Sequence, residues 1–146
     1  MKGNDDMANA IDLLLNANVE DFERPSKIVE IPRLSKILGD KFELKLKALS
    51  INKINKLRME CVNQTTKEVD IPKLQMKMLT EGTLDTENET YFFKNKNIQK
   101  AYKVPNAEEL INKILVMGEV DFLYDEIDSL SDLSEDIEEI EEEVKN

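Results

Sequence analysis

The amino-acid sequence predicts an α+β fold, mainly α: an N-terminal β-hairpin followed by a bundle of short helices, with an acidic C-terminal tail. Three observations carry this. Phe42, Leu44, Leu46 and Ala48 alternate with Glu43, Lys45 and Lys47, the period-two pattern of a half-buried strand. Beyond Ser50, apolar residues recur at three- and four-residue intervals behind capping residues, as in amphipathic helices. Aromatic residues make up only 5% and Trp is absent, so the core is built from Leu, Ile, Val and Met, which suit helix packing.

A chain of 146 residues is about the size of one domain and buries roughly 70% of the surface that its unfolded form exposes. The expected organisation is a single domain over residues 1–130 and an acidic tail over 131–146. The domain opens with a short leader helix at 5–16, where Asp5 and Asp6 precede the stripe Met7, Ile11, Leu14 and Leu15. A β-hairpin follows at 27–49, its strands Ile28–Leu34 and Lys41–Leu49 joined through Ser35–Asp40. Pro32 lacks an N–H, so the first strand is expected at a sheet edge, and Gly39 supplies the permissive turn residue.

Residues 50–130 read as helical throughout. Ser50 is placed to cap a helix with Ile51, Ile54, Leu57 and Cys61 inside. Asp70 caps the next, with Pro72 in its first turn, Leu74, Met78 and Leu79 inside, and Gly82 as its stop. Between Thr83 and Lys103, Tyr91, Phe92, Phe93, Ile98 and Tyr102 are expected to anchor one or two short helices. Asn106 and Glu109 form a capping-box pattern ahead of Leu110, Ile111, Ile114 and Leu115, with Gly118 as terminator. Val120, Leu123, Tyr124, Ile127 and Leu130 then follow at helical spacing, and Leu133, Ile137, Ile140 and Val144 extend them as a heptad-like seam.

Charge is segregated along the chain. Residues 119–146 hold 13 acids against the single base Lys145, a net of −12, whereas the first 118 residues net to +1. Between Arg24 and Arg58 ten bases face only three acids. One basic stretch and one acidic end suit partner binding better than catalysis. The acidic tail is either disordered, because like charges at i, i+4 repel, or a helix that orders against a basic partner.

Chemistry is correspondingly scarce. The chain has no histidine, which removes Ser-His-Asp and Cys-His nucleophile systems and imidazole metal sites. Gly3, Gly39, Gly82 and Gly118 are too far apart for a phosphate-binding glycine loop. Ser50-Ile51-Asn52-Lys53 matches an S-x-x-K pattern, but its companion motifs are missing and Ser50 is better used as a cap. An EF-hand loop counted from Asp128 would place Leu130 and Leu133 at positions that need a ligand and a glycine. The single Cys61 excludes an internal disulfide. No segment reads as a secretion signal or membrane span, so a cytoplasmic location is expected. No enzyme activity, metal or cofactor is expected.

The candidate interaction residues are therefore the basic hairpin side chains Arg33, Lys36, Lys45 and Lys47, and the seam Leu123, Tyr124, Ile127, Leu130, Leu133, Ile137 and Ile140. A solvated strand face explains the hairpin lysines more simply than nucleic-acid binding does, because no aromatic residues interleave with them.

Five stretches are taken together: Ile31-Pro32-Arg33-Leu34-Ser35-Lys36-Ile37-Leu38-Gly39, Phe42 to Leu49, Asp70-Ile71-Pro72-Lys73-Leu74, Leu79 to Asp85, and Pro105 to Asp125 with its Gly118-Glu119-Val120 break. In this order they resemble the XkdN-like tail assembly chaperones of phages and of prophage-like elements in Gram-positive bacteria. Together these span roughly residues 10–130 of the sequence. The resemblance implies a non-enzymatic protein of the host bacterial cytoplasm, absent from the mature particle. Its implied partners are the tape measure protein, which it keeps soluble, and tail tube protein, which it helps recruit. A homo-oligomer is a further expected assembly, whereas no membrane and no nucleic-acid partner is expected. The alternative class is a nucleic-acid-related regulator, with the basic hairpin binding RNA or DNA or the acidic tail mimicking it.

Overall fold

The computed structural model describes residues 9–132. The features expected at Asp5, Asp6 and Met7, and at Leu133, Ile137, Ile140 and Val144, lie outside the described residues. Among these residues α1 (Ala10–Asn16) and a 3-10 turn (Val19–Phe22) lead into β1 (Ser26–Glu30), α2 (Pro32–Leu38) and β2 (Glu43–Lys47). Then follow α3 (Ile51–Glu60), α4 (Ile71–Gly82), β3 (Thr83–Leu84), α5 (Lys96–Ala101), α6 (Ala107–Ile114) and α7 (Met117–Asp132). The fold is α+β and mainly α, as the sequence predicts.

The three strands form an antiparallel sheet in the order β1-β2-β3. Val29 pairs with Leu44 and Lys27 with Leu46, which puts Val29, Leu44 and Leu46 on one buried face. Ile28 pairs with Lys45 and Ser26 with Lys47 on the other. A slip of one residue would turn the apolar set outward, so the alternation of β2 sets the register.

Two expectations are corrected here. The link between the strands is not a turn through Ser35–Asp40 but a two-turn helix. Pro32 stands in its first turn, where its fixed φ fits and its missing N–H costs nothing. Gly39 ends it at φ 80, and its N–H donates to the Ser35 carbonyl at 3.0 Å. β1 is an outer strand, but it ends before Pro32. The second correction is β3: residues after Leu49 are not wholly helical, because Thr83 and Leu84 pair with Leu46 and Lys45. Two residues are too few to show a period.

The expected caps are in place. Ser50 Oγ accepts from Lys53 N–H, Asp70 from Lys73 and Asn106 from Glu109. Ile51, expected inside, is exposed in the first turn of α3, and Leu57 and Cys61 carry the buried face. Burial pushes the Cys61 thiol pKa up, consistent with a small core residue.

One apolar cluster joins the sheet to Leu57 of α3, Leu74, Met78 and Leu79 of α4, Leu110 and Ile111 of α6, and Val120, Leu123 and Ile127 of α7. α7 lies against both α4 and β2. Gly82 is the last residue of α4, and its φ is ordinary; its importance is spatial. A Cβ built there would stand 3.0 Å from two Ile127 side-chain carbons. Gly118, expected to end α6, instead lies inside the first turn of α7 with nothing within 4 Å of its Cβ position. α6 ends at Ile114.

The junction of α6 and α7 is held from α2. Arg33 donates through Nε and Nη2 to both carboxylate oxygens of Glu119, at 2.9 and 2.8 Å, and through Nη2 to the Ile114 carbonyl at 2.6 Å. Glu119 in turn accepts from the Val116 N–H at 3.0 Å, filling one of the orphan donors at the start of α7. The Arg33 guanidinium holds the Glu119 carboxyl below its ordinary value of 4.5, against the opposing effect of burial and with help from Val116 N–H.

Two predictions follow from this packing. Gly82→Ala is expected to lose up to about 2 kcal/mol net in urea unfolding, because overpacking against Ile127 costs about 1–3 kcal/mol and helix propensity returns only ~1 kcal/mol. Gly118→Ala, with open space, is expected to gain up to ~1 kcal/mol; equal effects at the two glycines would refute the distinction. Because the Glu119 carboxyl is depressed in the folded state, its stabilisation is present above the unfolded value of 4.5 and is lost as pH falls through the folded one. Glu119→Gln should therefore melt several degrees below the wild type at pH 7. The gap should narrow in acid; a gap unchanged between pH 7 and pH 3 would contradict the assignment.

Candidate functional site

The basic segment does not form an open cationic face. Lys27 pairs with Glu126 at 3.0 Å, Arg33 with Glu119 at 2.8 Å, Lys45 with Glu89 at 2.7 Å, Lys47 with Glu23 at 3.1 Å and Lys53 with Glu81 at 3.1 Å. Half of the ten bases between Arg24 and Arg58 are thus matched by carboxylates. Glu81 also receives Lys94 at 2.6 Å. Burial pushes its carboxyl pKa up, but the two lysines outweigh that and the net shift is downward. Lys45 likewise lowers the Glu89 carboxyl.

Of the candidate hairpin residues, Arg33, Lys45 and Lys47 are engaged in this way, and Lys36 is exposed in the last turn of α2. Lys36 forms no ion pair with any described residue. The seam divides as well. Leu123 and Ile127 are fully buried in the core, and Tyr124 and Leu130 pack half-buried against it. The first half of the seam is therefore an inward face of α7. Leu133, Ile137 and Ile140 lie outside the described residues.

The structure gathers a different apolar surface that no stretch of sequence displays. A groove of about 450 Å³ opens between α2, the 92–102 region and the end of α6. α2 contributes Leu34, Ile37 and Leu38; Phe42 and Phe92 form its floor; Ile98, Tyr102 and Ile114 form the far side. Its two charged lining residues, Arg33 and Lys113, are both basic. Ile37 is 65% exposed and Leu38 54%, values that a helix end covered by its own fold would not show.

The floor is rigid. Phe42 and Phe92 meet edge to face with ring centroids 5.8 Å apart, and Phe92 meets Phe93 in the same way at 5.2 Å. Phe93 is fully buried, and the buried Gln99 donates from Nε2 to its carbonyl at 2.8 Å. Of the aromatic residues expected to anchor this region, Phe93 does so, while Phe92 presents part of its ring and Tyr91 and Tyr102 remain exposed. The one local signal of the groove was the Ile37-Leu38 doublet beside Gly39.

A second exposed apolar element is the leader. None of the residues of α1 or of the 3-10 turn is buried: Ile11, Leu13, Leu14, Leu15, Val19 and Phe22 all face solvent. Among the described residues no helix is long and apolar enough to cross a membrane.

Comparison with known proteins bears on the fold and the family. Among solved structures, a crystal structure of the protein yqbn matches with a TM-score of 0.52 and 24% identity, covering 72% of this chain and 84% of that one. It supports the fold alone. No curated protein matches. The family model described as phage XkdN-like tail assembly chaperone protein matches residues 11–145, which includes the leader, the 92–102 region and the acidic end. The chain belongs to the XkdN-like phage tail assembly chaperones.

Proposed function

We propose that the chain is a non-enzymatic chaperone that binds and solubilises the tape measure protein and helps recruit tail tube subunits. It works in the host bacterial cytoplasm and is absent from the mature particle. The family supports a role in tail assembly. The observation that carries the finer reading is the open groove over Phe42 and Phe92, rimmed by Ile37, Leu38 and Tyr102.

A tape measure protein presents long helices with apolar stripes, and a helix enters such a groove through side chains at i, i+3, i+4 and i+7. One groove gives a weak site. Many copies along one long client give avidity and can be displaced one at a time as tube subunits polymerise. Residues 1–130 act as the chaperone domain in this reading, and the acidic residues after it keep coated clients apart by charge.

Nucleic-acid binding is less well supported, because five bases of the basic segment are already held by carboxylates.

The test is co-expression with the tape measure protein. A soluble complex with several copies of the chaperone per client is expected. Ile37→Asp with Leu38→Asp should lower the soluble client by about tenfold or more, since two apolar anchors are lost. A client equally soluble with that variant would refute the groove as its seat.

A further inference from the structure

We infer that the groove selects its guests by charge: it takes helices whose apolar stripe is flanked by carboxylates and turns away those flanked by lysine, with Lys113 as the selecting residue. This deepens the proposed function and rests on its reading of the groove as a helix acceptor.

The walls carry charge of one sign. Among the described residues, Arg33 and Lys113 are the only charged side chains in the lining. Arg33 is already bound to both carboxylate oxygens of Glu119 and to the Ile114 carbonyl, so its charge is matched within the fold. Lys113 is not. It is exposed in the last turn of α6, next to Ile114, and forms no ion pair with any described residue. Lys36 is in the same state in α2, beside Ile37. One open lysine therefore stands on each side of the apolar floor that Phe42 and Phe92 form.

Acids are scarce around the groove. Residues 90–107 hold Lys94, Lys96, Lys100 and Lys103 and no Asp or Glu. Lys94 is held by Glu81 at 2.6 Å. Ile98 and Tyr102, one turn apart, face the groove, which puts Lys96 and Lys100 on the other side of α5. There they raise the local potential without touching a guest. Of the acids that flank α2, Glu30 accepts from the Ser35 hydroxyl at 2.7 Å, and Asp40 Oδ1 accepts from the Lys41 N–H at 2.7 Å.

A helix seated by an apolar stripe at a and d positions turns its flanking e and g residues to the two walls. Glu there meets Lys36 on one side and Lys113 on the other, whereas Lys there meets only like charge. One exposed pair contributes little, but attraction on both sides exchanged for repulsion on both compounds to about tenfold in affinity, expressed mainly in the association rate. The charge of the whole molecule favours the opposite order. At −11 the chain attracts a basic guest at long range. A preference for the acidic guest therefore reports the walls of the groove and not the field of the whole chain.

The test uses the full chain and two synthetic helical peptides with one apolar stripe in common, Glu at e and g in the first and Lys in the second. Binding is read by fluorescence anisotropy at physiological salt, and binding that survives Ile37→Asp/Leu38→Asp is subtracted as binding outside the groove. The wild type should hold the Glu peptide about tenfold more tightly than the Lys peptide. Lys113→Glu should abolish or reverse that preference, and Lys113→Arg should keep it. Position 113 is solvent-exposed, and circular dichroism checks that the fold is kept. Equal affinities, a preference for the Lys peptide, or a preference unchanged in Lys113→Glu would overturn the inference. Equal affinities that both depend on Ile37 and Leu38 would sink selection by charge and spare the groove as a helix acceptor. No groove-dependent binding of either peptide would sink both.

Discussion

The Arg33 guanidinium is the fastening on which the rest of the functional surface depends. It grips both oxygens of Glu119 and the carbonyl of Ile114, and so ties α2 to the point where α6 gives way to α7. A bidentate pair fixes angle as well as distance, which a lysine in its place would not do. Without it α2 would be held mainly by Ile31, Leu34 and the ladder at Phe42, and its outer residues Ile37 and Leu38 would have no fixed relation to Ile114. The groove is the space that this fastening keeps open. The aromatic floor beneath it, Phe42 on Phe92 on Phe93, is in turn steadied by Gln99.

Charge serves the fold first. The basic stretch from Arg24 to Arg58 suggested a surface for an acidic partner when read along the chain. In three dimensions half of its members are matched by carboxylates drawn from Glu23 through Glu126. Exposed pairs of this kind contribute little each. Lys36 and Lys113, which form no ion pair among the described residues, sit at or beside the groove, where an acidic amphipathic helix would meet them. Such contacts steer encounter more than they hold, and they fade over a screening length of about 8 Å at physiological ionic strength.

Much of the fold was legible in the sequence because its signals are local. Ser50, Asp70 and Asn106 announce three helices within four residues of each start, and the alternation of Phe42 to Ala48 announces β2. What escaped reading was decided at a distance. Pro32 suits both an edge strand and the first turn of a helix, and only the Gly39 conformation and the Ser35 carbonyl make it the latter. Gly82 ends α4 as its position in the sequence suggests, but its contact with Ile127, 45 residues away in the chain, was not legible there. The seam from Leu123 to Leu130 carries the apolar period that a docking helix also has, and the core claims it. The groove was the least legible feature, since α2 and the 92–102 region each bring it three apolar residues and α6 only Ile114, until folding sets them side by side.

The claim that matters most is that an apolar helix is received between α2, Phe92 and α6. Hydrogen–deuterium exchange on the chaperone, with and without a tape measure segment, addresses it most directly. Amides of α2, of residues 92–102 and of the end of α6 should gain protection together on binding, while α3 and the outer sheet face stay as they were. Protection confined to α3 or to the strands around Lys45 and Lys47, with the groove unchanged, would contradict it.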